Sequence, residues 1–210
     1  MPVIIPNDLP AAEILQNENI FIMNKARAVT QDIRPLKIVI VNLMPTKIAT
    51  ETQLARVLGN SPLQVELTLL AMDSHESKNV SQSHMRDFYK TIDEVESERF
   101  DGMILTGAPV EQIAFEEVDY WKELTGILEY AKENVYSSMF LCWGAQAALY
   151  HHYGINKYQM DKKMFGIFET KVVRPLNPLM RGFDEIFYSP HSRHTEVIKS
   201  DILKHPELRI

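Results

Sequence analysis

Residues 36–44 are Leu36-Lys37-Ile38-Val39-Ile40-Val41-Asn42-Leu43-Met44, a nearly continuous apolar run that is rich in β-branched side chains. Such a run is typical of a strand that is buried on both faces of a parallel sheet. Three further apolar runs follow at residues 65–72, 100–107 and 137–141, and helical patterns separate them. This alternation predicts right-handed βαβ units. The expected fold class is therefore α/β, an open and mostly parallel sheet with helices on both faces.

The remaining segments complete this prediction. The expected helices cover residues 46–58, a segment that ends near residue 99, and residues 120–133. Near the C-terminus the alternation stops, and antiparallel strands are expected at residues 164–173, 183–188 and 195–198. Residues 1–35 are predicted to form an N-terminal arm with a helix over residues 11–28, and residues 36–210 to form the α/β domain.

The composition excludes several classes of protein. The 210 residues carry 22 Lys and Arg against 28 Asp and Glu, a net charge of −6, which argues against nucleic-acid binding. One cysteine cannot form an internal disulfide. The first residues lack the features of a signal peptide, and the longest apolar run is far shorter than the ~20 residues that span a bilayer. A cytoplasmic protein without nucleic-acid or membrane partners is expected.

Ligands of such sheets bind beyond the carboxyl ends of the strands. The loops after Met44, Met72, Thr106 and Leu141 are therefore expected to lie together on one functional edge of the sheet.

The single cysteine lies where this sheet would hold a nucleophile, in Phe140-Leu141-Cys142-Trp143-Gly144-Ala145-Gln146-Ala147. A strand-to-helix bend exposes a nucleophile, and small neighbours let the helix pack closely. The helix dipole would favour the thiolate, and the Trp143 N–H would face an oxyanion at the sulfur. The alternative is that Cys142 is a small buried hydrophobic residue.

The segment Thr106-Gly107-Ala108-Pro109-Val110-Glu111 ends the preceding strand and could direct a second N–H at the same oxyanion. Because Pro109 has no N–H, the donor would be Ala108 or Val110. A plain strand-ending turn is the alternative interpretation.

A nucleophilic cysteine needs a base, and seven histidines are available. His151 and His152 lie on the helix after Cys142, where surface or packing roles are expected. Residues 189–194, Ser-Pro-His-Ser-Arg-His, suit either a ligand-binding loop or a solvated turn. The pair Lys162-Lys163 suits an anionic group or a solvated surface. No cluster of Cys, His and carboxylates shows metal-ligand spacing, so no metal site is expected.

Four motifs together resemble the homoserine O-acyltransferases of methionine biosynthesis. They are Val39-Ile40-Val41-Asn42-Leu43-Met44-Pro45, Leu105-Thr106-Gly107-Ala108-Pro109-Val110-Glu111, Leu141-Cys142-Trp143-Gly144-Ala145-Gln146-Ala147 and Tyr188-Ser189-Pro190-His191-Ser192-Arg193-His194. The resemblance covers essentially the whole chain. It implies a fold similar to class I glutamine amidotransferases, and transfer of an acyl group from acyl-CoA to L-homoserine through a cysteine thioester.

The resemblance also implies roles for individual residues. Cys142 matches the nucleophile that accepts the acyl group, and Trp143 and Val110 are then expected to donate their N–H groups to the oxyanion. Lys163 and Ser192 match residues that contact the substrate. The expected partners are L-homoserine and acyl-CoA, with a homodimer as an option, and no cofactor is expected beyond acetyl-CoA as the acyl donor.

Glu111 matches the position that is associated with the choice of acyl donor, where glutamate goes with acetyl-CoA and glycine with succinyl-CoA. A carboxylate near the acyl pocket would fill space and repel the distal carboxylate of a succinyl group. Acetyl transfer is therefore expected, with succinyl transfer as the alternative.

Members of the resembled family continue beyond Leu208-Arg209-Ile210, and their further segment carries the catalytic base and its orienting glutamate. His205-Pro206-Glu207 resembles that base-carrying segment only superficially. The sequence is therefore expected to be shortened at its C-terminus, with severely impaired turnover and residual acylation of Cys142. The other interpretations are a glutaminase-like cysteine hydrolase on the same fold, a flavodoxin-like binding domain with Cys142 in its core, and an inactive shortened product.

Overall fold

The computed structural model describes residues 3–31, 33–75, 77 and 79–210. Its strands are β1 (Val3–Ile4), β2 (Ile22–Met23), β3 (Leu36–Val41), β4 (Val65–Leu70), β5 (Tyr89–Lys90), β6 (Phe100–Leu105), β7 (Val135–Phe140), β8 (Tyr158–Lys171) and β9 (Ile186–Glu196). Its α-helices are α1 (Pro10–Asn17), α2 (Lys25–Val29), α3 (Lys47–Gly59), α4 (Gln82–Phe88), α5 (Trp121–Asn134), α6 (Trp143–Tyr153) and α7 (Lys199–Ile202).

Within those ranges, strands β1 to β7 form one parallel sheet in the order β2-β1-β4-β3-β6-β7, and β5 pairs with β4. The four predicted core strands are present, and β3 lies at the centre between β4 and β6. The expected α/β class and the parallel sheet are confirmed. Each strand ends before its apolar run does, since residues such as Leu43 and Met72 form the loops at the carboxyl edge.

Helices cover both faces of the sheet, as predicted. Val39 and Val41 of β3 pack with residues of α5 and α6 in one apolar cluster, whereas Ile40 packs with residues of α1 and α3 in another. Successive strand residues point to opposite faces, so one strand contributes to both clusters. None of the helices in the described ranges has the length and the apolar character needed to cross a membrane.

The N-terminal segment differs from the expected arm. Strand β1 pairs in parallel with β4, Val3 opposite Val65, and its residues are buried. The single helix expected over residues 11–28 is divided into α1 and α2, because Asn19 takes a positive φ of 59° that ends α1. Residues on both sides of position 35 therefore share one sheet, and a domain boundary there stays a prediction.

The helix predicted after the polar loop is present as α4, but its predicted end near residue 99 is wrong. Helix α4 ends at Phe88, and the chain then extends as β5 beside the end of β4. The Tyr89 hydroxyl donates to the buried Glu51 carboxylate at 2.5 Å, which anchors this extended segment.

Near the C-terminus, β8 and β9 form an antiparallel pair apart from the main sheet, which confirms the added antiparallel strands. The two short strands expected at residues 183–188 and 195–198 are wrong, since β9 is one continuous strand. Residues 189–194 are therefore neither a loop nor a turn: they pair with β8, Ser192 opposite Phe165. The register shifts between Gln159 and Met164.

Candidate active site

Cys142 lies at a sharp bend between β7 and α6. The Leu141 N–H still donates to the Leu105 carbonyl at 2.9 Å, so the ladder with β6 continues to the residue before the cysteine. Cys142 then takes φ 52° and ψ −121°, and α6 begins at the next residue. Such a backbone costs about 1–3 kcal/mol in a residue with a Cβ and is characteristic of functional sites. The cysteine is exposed, so its interpretation as a buried hydrophobic residue does not fit the structure.

Close backbone packing holds this bend. A Cβ added to Gly144 would lie 2.5 Å from the Thr106 carbonyl oxygen and 3.2 Å from the Leu105 carbonyl oxygen. Only glycine therefore lets the first turn of α6 approach the end of β6. The Trp143 side chain is fully buried, and its ring packs at 5.9 Å from Phe115, measured between centroids. The bend is thus held by the Gly144 backbone against β6 and by the buried Trp143 ring against Phe115.

The turn after β6 faces the cysteine. A Cβ added to Gly107 would lie 3.0 Å from Cys142 Cβ and 3.5 Å from Cys142 Sγ, so the Gly107 backbone runs directly beside the thiol. Val110 lies in the same turn and lines the same cavity as Cys142. The Trp143 N–H is the first of helix α6 and has no partner within the helix. Both amides expected to hold an oxyanion thus belong to segments that meet at the sulfur.

A cavity of about 880 Å³ opens beside Cys142. The loops after β3, β6 and β7 contribute to its wall, as do one side of α3 and the C-terminal half of β9. The residues that line it include Met44, Pro45, Gln53, Gly107, Val110, Glu111, Cys142, Ser192 and His194. A cavity of this size accommodates a ligand of many atoms. The prediction that the strand-end loops lie on one edge is confirmed, since Met72 lines the adjoining cavity with Met44 and Val110.

Strand β9 brings Ser192 to the cysteine. Ser192 and Cys142 line this cavity and also a second one of about 420 Å³, to which Arg193 and Gln146 contribute. The Thr195 hydroxyl donates to Gln146 Oε1 at 3.1 Å and joins β9 to α6. Arg193 Nε is buried without a hydrogen-bond partner in the described structure.

The candidate Lys163, and His205 of the segment that only superficially resembles the base motif, lie elsewhere. Lys163 is exposed on β8, in the irregular part of the pair with β9, and its Nζ lies 5.7 Å from the Phe165 ring centroid. It does not line the described cavities that contain Cys142. His205 packs against Tyr153 at the far end of α6, with 5.4 Å between the ring centroids. It is therefore distant from the cysteine, at the opposite end of the helix.

Glu111 lies in both cavities that contain Cys142. Its negative charge also acts on Lys157, whose Nζ donates to the Ile113 carbonyl at 2.5 Å. Burial lowers the pKa of Lys157, and the charges of Glu111 and Glu116 oppose that shift. The position expected to select the acyl donor thus carries an acidic side chain at the cavity wall.

A buried polar cluster that was not predicted from the sequence lies beside the cavity. Lys47 Nζ donates to the Asn42 carbonyl at 2.6 Å, and burial lowers the Lys47 pKa to about 8, although the Glu51 charge acts in the opposite direction. Glu51 accepts hydrogen bonds from Tyr89 and His84, at 2.5 and 3.1 Å. Lys47 and Glu51 are four positions apart in α3, a spacing that is usual on solvated helix faces, so their burial could not be predicted from the sequence.

The chain matches the family model described as HTS, homoserine O-succinyltransferase, over residues 2–210. The chain belongs to the homoserine O-succinyltransferase family. All 210 residues align at 60% identity with the homoserine O-acetyltransferase of Clostridium novyi (strain NT), covering 100% of this chain and 70% of that protein. The homoserine O-acetyltransferase of Acetivibrio thermocellus is also 60% identical over the whole chain, which covers 69% of it.

A third member of the family, the homoserine O-acetyltransferase of Bacteroides fragilis (strain ATCC 25285), is 58% identical over all 210 residues and is 69% covered. Membership identifies this chain with a family of acyltransferase enzymes, as the four motifs predicted. The chain spans about 70% of the length of such relatives.

Proposed function

We propose that this chain transfers an acetyl group from acetyl-CoA to the hydroxyl of L-homoserine, and that Cys142 carries the acetyl group as a thioester. The supporting observation is the exposed Cys142 thiol at the wall of a cavity of about 880 Å³, at the first turn of α6. The names of the relatives supply the acceptor and the transferred group.

In the first half-reaction, the Cys142 thiolate attacks the carbonyl carbon of acetyl-CoA. A new C–S bond forms, and the carbonyl electron pair moves onto the oxygen, where the N–H groups of Trp143 and Val110 stabilise it. The intermediate collapses, the bond to CoA breaks, and CoA leaves as a thiolate that takes up a proton. The product is acetyl-Cys142.

In the second half-reaction, the homoserine hydroxyl attacks the thioester, its proton passes to a base, and O-acetylhomoserine leaves the regenerated Cys142 thiolate. General-base removal of such a proton contributes about 10²–10⁴-fold to the rate. Ser192 is suited to hold homoserine because it lines the cavity next to the sulfur. For Lys163, which lies outside that lining, substrate contact rests on the resemblance alone.

Glu111 supports acetyl rather than succinyl as the acyl group. Its carboxylate lies at the wall of the cavity that contains Cys142. A succinyl group would bring a second carboxylate towards it, and two like charges in a partly desolvated cavity repel each other. The name of the matched family model keeps succinyl transfer as the alternative.

The test isolates the first half-reaction. The chain is incubated with acetyl-CoA, and intact-mass and peptide mass spectrometry follow a gain of about 42 Da, which replacement of a thiol hydrogen by acetyl produces. We expect this adduct on the peptide that contains Cys142, and we expect neutral hydroxylamine to remove it, since hydroxylamine cleaves thioesters but not the amides of acetylated lysines.

Cys142→Ala is the matched control and should remain unmodified at this peptide. An adduct of unchanged yield in Cys142→Ala, or a wild-type thiol that reacts with iodoacetamide but never with acetyl-CoA, would show that the proposal is wrong.

A further inference from the structure

We propose that Glu129, His151 and His152 bind a divalent transition-metal ion of the zinc class where helix α5 packs against helix α6. Glu129 Oε1 lies 2.7 Å from His151 Nε2 and 3.7 Å from His152 Nδ1. The three ligand atoms all lie within 4.8 Å of one another. The site is independent of the proposed acyl transfer, because His152 lies ten positions after Cys142, about 15 Å along the helix.

One pair of the three donor atoms is already near the separation that zinc requires. Imidazole nitrogens and carboxylate oxygens bind Zn²⁺ at about 2.0–2.2 Å, which puts tetrahedral ligand atoms about 3.4 Å apart. The pair of Glu129 and His152 is already near this separation. The shorter contact is a hydrogen bond from His151 Nε2–H to Glu129, and it opens easily because the Glu129 side chain is 53% exposed. Water from the solvent side completes the coordination.

An unpartnered nitrogen is the second observation. His152 Nδ1 is buried and has no hydrogen-bond partner in the described structure, although it faces the Glu129 carboxylate. A buried polar atom without a partner is unfavourable by about 1–3 kcal/mol. The hydrogen bond between His151 and Glu129 satisfies polar atoms of those two residues but leaves His152 Nδ1 without a partner. A metal ion between all three side chains satisfies this nitrogen.

The local charges define the site further. Both histidines lie in the last turn of α6, which ends at Tyr153, and the negative end of a helix dipole favours cations. Lys132 opposes a cation, since its Nζ lies 3.7 Å from the second Glu129 oxygen, but its side chain is 64% exposed and free to turn away. Removing the Lys132 charge should therefore increase the affinity for the metal. If the three side chains only pack and hydrogen-bond with one another, the substitution should not produce zinc binding.

Zinc titration by calorimetry tests the site, in a Cys142→Ser background because thiolates also bind zinc. We expect one zinc per chain, and a loss of affinity of about tenfold or more in His151→Gln, His152→Gln and Glu129→Gln, since even outer-shell partners of metal ligands contribute that much. His75→Gln is the matched control: His75 also pairs with a carboxylate, Asp119 at 2.7 Å, but belongs to no group of three potential ligands among the residues that the structure describes. Lys132→Gln should bind zinc more tightly than the background chain.

Two further measurements decide whether the right atoms are involved. Histidine side-chain ¹⁵N NMR should show zinc-dependent shifts at His151 Nε2 and His152 Nδ1. Zinc should raise the Tm of the Cys142→Ser chain and leave that of His152→Gln unchanged, with circular dichroism showing that the variant is folded without metal. The proposal is overturned by zinc binding that His152→Gln leaves intact, by shifts confined to other histidines, or by the absence of saturable binding.

Discussion

The backbone of Gly144 runs against the carbonyl oxygen of Thr106, so closely that a Cβ on the glycine would lie 2.5 Å from that oxygen. This contact joins the first turn of α6 to the end of β6. Because the turn that follows Thr106 carries Gly107 and Val110, the same contact sets the spacing between the cysteine and the segment that faces it. The geometry of the proposed oxyanion site therefore depends on a residue that contacts no substrate.

Gly144→Ala should destabilise the protein by about 1–3 kcal/mol, because the new methyl group overlaps backbone atoms that cannot move independently of the sheet. Gly126→Ala is the matched control: it lies in helix α5, and a Cβ there has nothing within 4 Å. That substitution should stabilise by about 0.4–1 kcal/mol. Urea unfolding of both variants measures the two effects, and equal changes in both would contradict the close approach at Gly144.

Cys142→Gly should be more stable than Cys142→Ala by about 1 kcal/mol, because only glycine adopts φ 52° and ψ −121° without strain. Both variants lack the thiol, so the comparison isolates the Cβ in this backbone conformation. Thermal and urea unfolding supply the measurement. A Cys142→Ala variant that is the more stable of the two would mean that the bend is unstrained.

Glu111→Gly should shift the acyl preference of Cys142 towards succinyl-CoA, because it removes a negative charge and the side-chain volume from the cavity wall. Initial rates of Cys142 acylation with the two CoA esters measure this ratio. Glu117→Gly makes the same chemical change in an exposed turn outside the cavity and should leave the ratio unaltered. An unchanged ratio in Glu111→Gly would remove the basis for assigning acetyl as the donor group.

Lys47 should make stability depend on pH. Its pKa is about 8 in the folded chain, against about 10.4 in an unfolded one, so between these values the unfolded state binds more protons and the free energy of unfolding rises with pH. The penalty from burying the charge is fully present below pH 8 and disappears as the pH rises through 10.4. Relative to Lys47→Met, the wild type should gain roughly 3 kcal/mol over this window. Parallel denaturant titrations at neutral pH and near pH 10 test it, and a difference that does not vary with pH would contradict the burial of the ammonium group.

The central strands and the bend at Cys142 were predictable because their signals are local. A continuous β-branched run such as residues 36–44 has few alternatives to a buried strand, and the small residues after Cys142 match a tightly packed helix start. Strand β1 was not predicted, because two residues are too few to show the alternation of a strand. Its partner β4 begins only at Val65, far along the sequence. Strand β9 escaped prediction because Pro190 and the polar residues around it are typical of a turn, whereas pairing with β8 extends them.

The polar clusters were hidden for a different reason. Lys47 and Glu51 are buried by Tyr89 and His84, residues that reach them only once β5 lies beside β4. Similarly, Glu129 lies 22 positions before His151 in the sequence and contacts it only because α5 packs against α6. Local spacing in a sequence detects ligands on one element, so clusters formed by two packed elements require the tertiary structure.

The pairing of β1 with β4 also fixes an order of events during synthesis. Val3 leaves the ribosome long before Val65, its neighbour in the sheet, and at about 5–20 residues per second the wait lasts roughly 3–12 s. During that time Val3 and Ile4, both buried in the native structure, can pair only with the two-residue strand β2, because β4 has not yet been synthesised. The nascent N-terminus therefore exposes apolar residues, and a cellular chaperone that shields it would act before β4 joins the sheet.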